Sequence, residues 1–493
     1  MTLGDLLAGW APLEPSWDHL VLTGLTADSR AVKPGELFVA LPRLDRPGFR
    51  HDGHDFVAQA VAAGAVAVLA THPVPAPVPV IVVDDTRLLL GPLAAAFHGQ
   101  PSRELTLVGV TGTNGKTTIT YLLEAIFRAN GWRTVVAGTV ETRLGDERRP
   151  ATTTTPDPVT LQRLWREAVD QGITAGAMEV SSHALHQHRT DGTHFAAAVF
   201  TNLTQDHLDY HESLEEYFES KVALFYPDLS EYQPLAVINA DDAWGRRLLD
   251  RMVREPRSFG EARDATVRAE AAAYHARGSV FRVASPEGTW EQHLRLPGRF
   301  NVSNALGAIG AALTLGLSPD VIAPALASCA GAPGRVQAVD AGQPFGVFVD
   351  YAHTPDALEQ VIAALRPVTA GRLITVFGCG GNRDRTKRPQ MGAIAAAGSD
   401  RVVVTSDNPR TEDAAGILDD IVAGIAAGAR AEVEVEVDRR VAIGRALAAA
   451  RAGDTVLIAG KGHEDYQILG SEKHPFDDRA EALAWLEGNG PWS

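Results

Sequence analysis

The sequence predicts an α/β protein of three domains, two of them built on mostly parallel sheets. Three observations carry this. Strand-like and helix-like runs alternate from about residue 104 onward, the pattern of a parallel sheet covered by helices. A Gly-rich turn, VTGTNGKTT at 110–118, joins one strand to one helix. After about Arg335 a second series of βα units begins, and each of its strands runs into a polar or glycine-rich cluster.

Taken in order, residues 1–103 hold short apolar runs, ELFVAL (36–41) and AVAVLA (65–70), between Gly and Pro turns. They read as a small α/β domain. A Pro-rich piece at 73–79 reads as a surface loop before a strand at 80–83. The second domain, 104–335, opens with the strand LTLVGV (105–110), rich in β-branched residues. Ile119, Leu122, Leu123, Ile126 and Phe127 recur at helical spacing over 118–130, and Gly131 stands where a glycine would end that helix. AVFTNL (198–203) and LAVINA (235–240) are further strands. The third domain, 336–493, has strands at 346–352, 372–378, 401–406 and 455–460, with helical patterns around 356–366, 389–397, 412–427 and 439–451. This is a Rossmann-like arrangement. Ligands of open α/β sheets sit at the carboxyl ends of the strands. The clusters AHTPD, CGGNRD, DNPRTED and KGHEDY therefore point to one composite site.

Bulk properties narrow the function. The chain has 493 residues, 45% hydrophobic and 22% charged, enough for several packed cores. A formal net charge of −16 argues against nucleic acid as a partner. The start, MTLGDLLAGW, lacks the basic and apolar regions of a signal peptide, and no apolar stretch has membrane-spanning length. Cys329 and Cys379 are the only cysteines, which excludes a disulfide framework or a Cys-rich zinc site. Both read as small buried apolar residues. A cytoplasmic monomer with no membrane insertion is expected.

The turn 110–118 carries the sharpest chemistry. Backbone N–H groups of such a turn cradle phosphates at a helix N-terminus, as in P-loop ATPases. Lys116 would contact the terminal phosphates and Thr117 would hold Mg²⁺. The strict Walker spacing needs Gly at 110, where Val110 stands; Gly112 and Gly115 give a shorter variant. In MEVSSHAL (178–185), Glu179 fits either a metal ligand or a plain helix-capping acid. In TNLTQDHLDYH (201–211), His207 lies among acids past a strand end, and a metal role competes with a structural one. Mg²⁺ prefers oxygen ligands, so His would be an unusual choice. Lys221, inside the helical stretch EYFESKVALF, reads from local pattern as a solvated surface lysine.

Together these motifs, with GRFNVSNAL (298–306), APGRVQAV (332–339) and VDYAHTPDAL (349–358), resemble the Mur ligases along almost the whole chain. FGCGGNRDRTKRP (377–389), DNPRTED (407–413) and GKGHEDYQ (460–467) match the branch that adds the third amino acid. The resemblance implies ATP and Mg²⁺, with UDP-N-acetylmuramoyl-L-alanyl-D-glutamate and meso-diaminopimelate as the molecules joined. It gives Gly112, Thr113, Asn114, Gly115, Lys116, Thr117 and Thr118 to the ATP phosphates, and Asn301, Asn304 and Arg335 to the nucleotide. Thr117, Glu179 and His207 match metal positions. Lys221 matches a lysine that reacts with CO₂ to give a carbamate, turning a cation into an oxygen ligand. Ser29, Thr153, Thr154, Thr155, Ser181, Gln187 and Arg189 match the UDP-substrate site. Arg388, Asp407, Asn408, Pro409, Arg410, Gly460 and Glu464 match the amino-acid site. Lys116, Lys221, Glu179 and His207 are the implied catalytic set. Thr153 and Asn382 depart from the family, where Asn and Asp are common, and Ala27 beside Ser29 offers only backbone.

The implied chemistry is an acyl phosphate. A carboxylate oxygen is a poor leaving group, so ATP phosphorylates the D-glutamate side chain and an amine then displaces phosphate. Cationic groups offset the repulsion between the two anions. Competing readings are the L-lysine-adding ligase, a folylpolyglutamate synthase, and a non-catalytic nucleotide-binding protein of the same fold. DNPR and GKGHEDY weigh against the second, and Lys116, Glu179, His207 and Lys221 against the third.

Overall fold

The computed structural model describes residues 1–227, 232–275 and 278–489. The chain divides into two compact units: 1–258 with 310–317, and 259–309 with 318–493. The changes of unit fall within strand Arg257–Gly260, within helix Arg299–Thr314 and between Leu317 and Ser318.

The first unit carries two sheets. Strands Gly24–Thr26, Glu36–Val39, Ala67–Ala70 and Val80–Val82 pair in parallel, in chain order. In the larger sheet Thr106–Thr111 lies between Ala197–Phe200 and Ala175–Glu179, parallel to both. Leu235–Asn239 extends one side and Thr134–Ala137 the other. The antiparallel hairpin Glu141–Leu144 and Glu147–Pro150 continues beyond Thr134–Ala137. The central strand is buried along nearly its whole length, Leu107, Val108 and Val110 being inaccessible. Strands covered on both faces read as continuous apolar runs, which is why their positions are legible in sequence.

The expected helix after the phosphate turn spans Lys116–Ala129. It ends as Gly131 suggested. That residue takes φ +78, its N–H bonds the Arg128 carbonyl at 3.0 Å, and the Trp132 N–H bonds the Phe127 carbonyl at 3.0 Å. These two bonds form a Schellman motif, and the left-handed residue is where a Cβ would be strained.

The second unit holds a three-stranded antiparallel meander, Val267–His275, Gly278–Ser285 and Gly288–Leu294, which the sequence analysis did not anticipate. It also holds a six-stranded sheet ordered Gln337–Ala338, Gly346–Asp350, Thr455–Ala459, Leu373–Phe377, Arg401–Thr405, Glu432–Glu436. All neighbours there are parallel except the first pair. Alternate residues feed opposite cores. Phe348 joins Leu358, Met391 and Ile421 on one face, while Val347 and Val349 join Ile443, Leu447 and Leu486 on the other. This is the doubly wound arrangement expected for 336–493. Cys379 is buried, but Cys329 is partly exposed, so only one of the two cysteines is the buried apolar residue expected.

Candidate active site

In the first unit the phosphate turn is clipped by the strand end beside it. The Thr113 N–H bonds the Asn202 carbonyl at 2.9 Å. The Asn114 N–H bonds the Asn202 side-chain oxygen at 2.9 Å, and the Thr201 hydroxyl donates to the Asn114 carbonyl at 2.6 Å. Gly112 takes φ +144, and a Cβ there would sit 1.8 Å from the Thr201 Oγ1. Only glycine lets the turn lie this close to its neighbour. Thr117 and Thr118 are buried in the first turn of the helix.

Two lysines converge on one carbonyl. Lys116 Nζ donates to the Gly112 and Thr113 carbonyls, each at 2.8 Å. Lys221 Nζ donates to the same Gly112 carbonyl at 3.0 Å and stands 4.3 Å from the centre of the Tyr217 ring. Lys221 is 1% exposed. The reading of Lys221 as a solvated lysine is thus wrong, because its helix turns that face into the core. Burial, and then the positive field of Lys116, hold its amine well below the ordinary lysine range.

Glu179 ends strand Ala175–Glu179 and is 1% exposed. It accepts from the Thr117 hydroxyl at 2.9 Å, the Thr139 hydroxyl at 3.0 Å and the Thr139 N–H at 2.7 Å. It caps no helix: Ser181 caps the following one, accepting from the Ala184 N–H at 3.2 Å. His207 takes a left-handed backbone, φ +55, and its ring lies 3.5 Å from Asp206. Burial lowers its pKa, partly opposed by Asp206. Among the described residues no group of three or more His, Cys, Asp or Glu side chains is arranged to hold a metal ion. A carboxylate already gripping the helix hydroxyl, beside a phosphate turn, nonetheless has the donor chemistry that Mg²⁺ takes when it shares its ligands with phosphate oxygens.

Of the residues matched to the UDP-substrate, Thr154, Thr155, Ser181, Gln187 and Arg189 are linked by hydrogen bonds to this strand end. The Thr155 hydroxyl donates to the Glu179 carbonyl at 2.8 Å and accepts from the Ser181 N–H at 3.1 Å. Thr154 meets Thr139 at 3.1 Å, and Thr153 is exposed. Arg189 donates to the Thr155 carbonyl at 3.1 Å and grips the Gln187 oxygen at 3.0 and 2.7 Å. The Gln187 amide donates to the Tyr210 hydroxyl at 3.0 Å. Ser29 is buried and donates to Gln59 at 3.3 Å. Sequence reasoning missed Tyr210, Thr139 and Tyr217; nothing in their local pattern marks them.

In the second unit, the polar clusters after the four strands do meet. Asp407 and Asn408 follow one strand, Gly460 and Glu464 another. The Asn408 amide donates to Glu464 Oε2 at 2.8 Å. The Gly460 N–H bonds the Asp350 carbonyl at 3.0 Å. Lys387, after a third strand, donates to the His353 carbonyl, after the fourth, at 2.8 Å. Arg410 follows Pro409 and takes φ +54. Its Nη1 donates to the Gly381 carbonyl at 2.9 Å, which leaves the other edge of the guanidinium uncommitted among the described residues. The family departure at Asn382 is built in: it too is left-handed, φ +53, and its oxygen accepts from the Thr411 N–H and hydroxyl.

Arg388 is placed differently. Its side chain is fully buried and bonds Asp420 at 2.8 Å and Glu412 at 3.0 Å, so it braces the DNPR loop from behind. Asn301 donates to the Pro297 carbonyl at 2.9 Å and Asn304 to Asn301 at 3.3 Å. The Arg335 guanidinium stands 4.8 Å over the Tyr351 ring. Lys461 was also missed; it is 0% exposed at the heart of this cluster.

This geometry has counterparts. Residues 110–312 match the Mur ligase middle domain, 334–462 the Mur ligase, glutamate ligase domain, and 21–98 the Mur ligase family, catalytic domain. The chain belongs to the Mur ligase family. Within it, the similarity is to proteins named UDP-N-acetylmuramoyl-L-alanyl-D-glutamate--2,6-diaminopimelate ligase. One from Geobacter metallireducens is 47% identical, covering 98% of each chain. One from Synechococcus is 49% identical, covering 96% of each. A solved structure of that ligase superposes with TM-score 0.74 at 34% identity, covering 99% of each chain. A MurF ligase from Thermotoga maritima in complex with ADP shares the fold, with TM-score 0.60 at 19% identity over 95% of this chain and 96% of that one.

Proposed function

We propose that this chain is the ATP-dependent ligase that joins meso-diaminopimelate to UDP-N-acetylmuramoyl-L-alanyl-D-glutamate in peptidoglycan synthesis. The observation that carries the reading is the convergence of Lys116 and Lys221 on the Gly112 carbonyl, with Glu179 holding Thr117 beside them. We propose a functional division into three parts, 1–103, 104–335 and 336–493, supported by the sheets that fall within them.

In this reading the turn from Gly112 to Thr118 wraps the ATP phosphates, and Lys116 leaves the loop carbonyls to meet the terminal phosphate. Asn301, Asn304 and Arg335 serve the nucleotide. Mg²⁺, held by Thr117, Glu179, His207 and Lys221, would supply positive charge where phosphate and carboxylate meet. Thr155, Ser181, Gln187 and Arg189, with Ser29 and Thr154, fix the UDP-dipeptide so that its D-glutamate carboxylate is positioned for attack. That oxygen attacks the γ-phosphorus, and the bond from phosphorus to the ADP oxygen breaks. The amine of diaminopimelate then attacks the acyl carbon, phosphate leaves, and the nitrogen sheds a proton. Positioning of the three substrates supplies much of the gain.

Lys221 acts as a carbamate. Its nitrogen attacks CO₂, an N–C bond forms and the nitrogen loses a proton. Only the neutral amine can do this, and the buried, Lys116-facing setting favours that form. The uncommitted edge of Arg410 suits a carboxylate, which diaminopimelate has at its far end and lysine lacks.

Phosphate release tests the reading. It should require ATP, the UDP-dipeptide and diaminopimelate together, and an amino-acid panel should rank diaminopimelate above lysine. Preference for lysine would favour the lysine-adding ligase. Turnover with neither acceptor nor amino acid would favour a nucleotide-binding protein.

A further inference from the structure

Three features lie outside the assigned site residues. A cavity of about 220 Å³ lined by Trp10, Pro92, His194 and Tyr232 lies by the starting ends of two strands; Arg103 and Asp191 also line it, but Asp191 is already paired with His188 at 3.0 Å and nothing there selects one ligand. The Arg439–Asp478 pair, both side chains at 0% exposure, ties Ser406 and Ala459 together from behind and reads as a brace. Lys461 goes further.

Lys461 sits at the head of the GKGHEDY segment with its side chain at 0% exposure. Its Nζ reaches Asp407 Oδ1 at 3.4 Å, Asn408 Oδ1 at 3.1 Å and Glu464 Oε2 at 3.3 Å. The consequences for Asn408 are specific. Its oxygen accepts from Lys461 and from the Ile468 N–H at 2.9 Å, so its amide nitrogen must point the other way, to Glu464 Oε2. Glu464 Oε2 is thereby taken twice, and Asp407 gives one oxygen to Lys461. Asp407 Oδ2 and Glu464 Oε1 have no hydrogen-bond partner among the described residues. Among these three side chains, two carboxylates and one ammonium leave a net negative charge.

We propose that Lys461 is a positioning residue that turns one oxygen each of Asp407 and Glu464 toward the second ammonium group of the amino acid. This deepens the proposed function and rests on it. Arg410 answers the far carboxylate; the Lys461 cluster answers the far amine. Lys461 touches no substrate atom in this scheme and takes no part in acyl transfer. Without its charge the two carboxylates repel, and Asn408 is free to turn its amide.

The test is selectivity between meso-diaminopimelate and 2-aminopimelate, which keeps the attacking amine and both carboxylates but lacks the second amine. With Lys461→Met, kcat/KM for diaminopimelate should fall on the order of 30-fold or more, while the value for 2-aminopimelate changes only a few-fold. The KM values for ATP and the UDP-dipeptide should hold. If Lys461→Met does not fold, Lys461→Arg decides by the same ratio. It keeps the buried charge, but a planar fork cannot repeat three contacts made by one compact ammonium. An unchanged ratio in the folded variant, or KM values for all three substrates rising together, overturns the proposal. Wild-type protein that does not turn over diaminopimelate sinks the functional reading along with it. Wild-type turnover with an unchanged ratio in the variant sinks the role of Lys461 alone.

Discussion

Lys221 and Lys461 are equally buried, at 1% and 0% exposure, yet their surroundings are opposite. Lys221 faces a backbone carbonyl, an aromatic ring and a second lysine. Lys461 faces two carboxylates and an amide oxygen. Taking an ammonium out of water is costly, and a protein meets that cost either by neutralising the group or by pairing it. The first unit lowers the lysine's pKa, by burial and then the field of Lys116, and so favours the neutral, nucleophilic amine. The second pairs and so makes a fixed point charge that shapes its neighbours. Burial alone therefore says little about a lysine; the partners decide.

The strongest way to break this contrast is at Lys116, whose charge adds to burial in lowering the Lys221 amine. Lys116→Ala should reduce ligation by roughly 10³-fold or more, since in the proposed function it removes the cation that meets the terminal phosphate. It is half-buried at the surface of the turn and bonds the Gly112 and Thr113 carbonyls, so the melting temperature should move far less than the activity. Near-normal turnover with an unchanged melting curve would remove the phosphate-loop reading.

Next, Lys221→Arg should fail as badly as Lys221→Ala, by about 10²-fold or more, because a guanidinium keeps the charge and cannot carry a carbamate. Wild-type protein in isotope-labelled bicarbonate should show one labelled carbamate carbon. Because the amine is lowered below its ordinary range, that label should survive near neutrality and be lost as the pH falls and the amine protonates. A bare ammonium at 221 in fully active protein would end the idea.

In the second unit, Arg410→Ala should cost on the order of 2–5 kcal/mol in kcat/KM for diaminopimelate, the worth of a buried charge-assisted pair. Lysine, with no far carboxylate, should be nearly indifferent. Equal losses for both amino acids would show that Arg410 does not set the preference.

The smallest effect concerns His463, packed 4.9 Å from the Tyr351 ring. Burial, and then the field of Arg335, bring its pKa down to about 4. Between about 4 and the unfolded value near 6.5 the unfolded chain holds the extra proton, so stability rises with pH across that window and is lost on acidification through it. The loss should be on the order of 1–2 kcal/mol, discounted for the part of the ring that water reaches. His463→Gln should flatten the dependence of melting temperature on pH between 4 and 6.5. An unaltered slope would place the acid sensitivity elsewhere.

What sequence revealed follows physical locality. The phosphate turn is contiguous, so Gly112, Lys116 and Thr117 declare themselves, and doubly covered strands announce themselves as unbroken β-branched runs. The meander Val267–Leu294 escaped because it alternates small and charged residues, such as VRAEAAAY, and two of its strands are half exposed. Lys221 was misread because its burial depends on where the helix Leu214–Val222 docks, which no local spacing records. Lys461 lay inside a motif that was noticed, but its partners Asp407 and Asn408 are 54 and 53 residues away. Arg388 matches the amino-acid site by resemblance, and no local spacing records that its partners would be Glu412 and Asp420.

The left-handed backbone of Arg410 has a consequence for how the amino-acid preference can drift. A non-glycine residue at φ +54 carries about 1 kcal/mol of strain, and the strand-like bonds from its N–H to Ile468 and from Gly470 to its carbonyl hold it there. Those bonds belong to the main chain and survive any side chain. Glycine or asparagine at this position would thus keep the turn, release strain and delete the cation in one step. In the role proposed for Arg410, carboxylate selection would be held against a small conformational gradient, and a lineage relieved of the need for it would find the exit downhill.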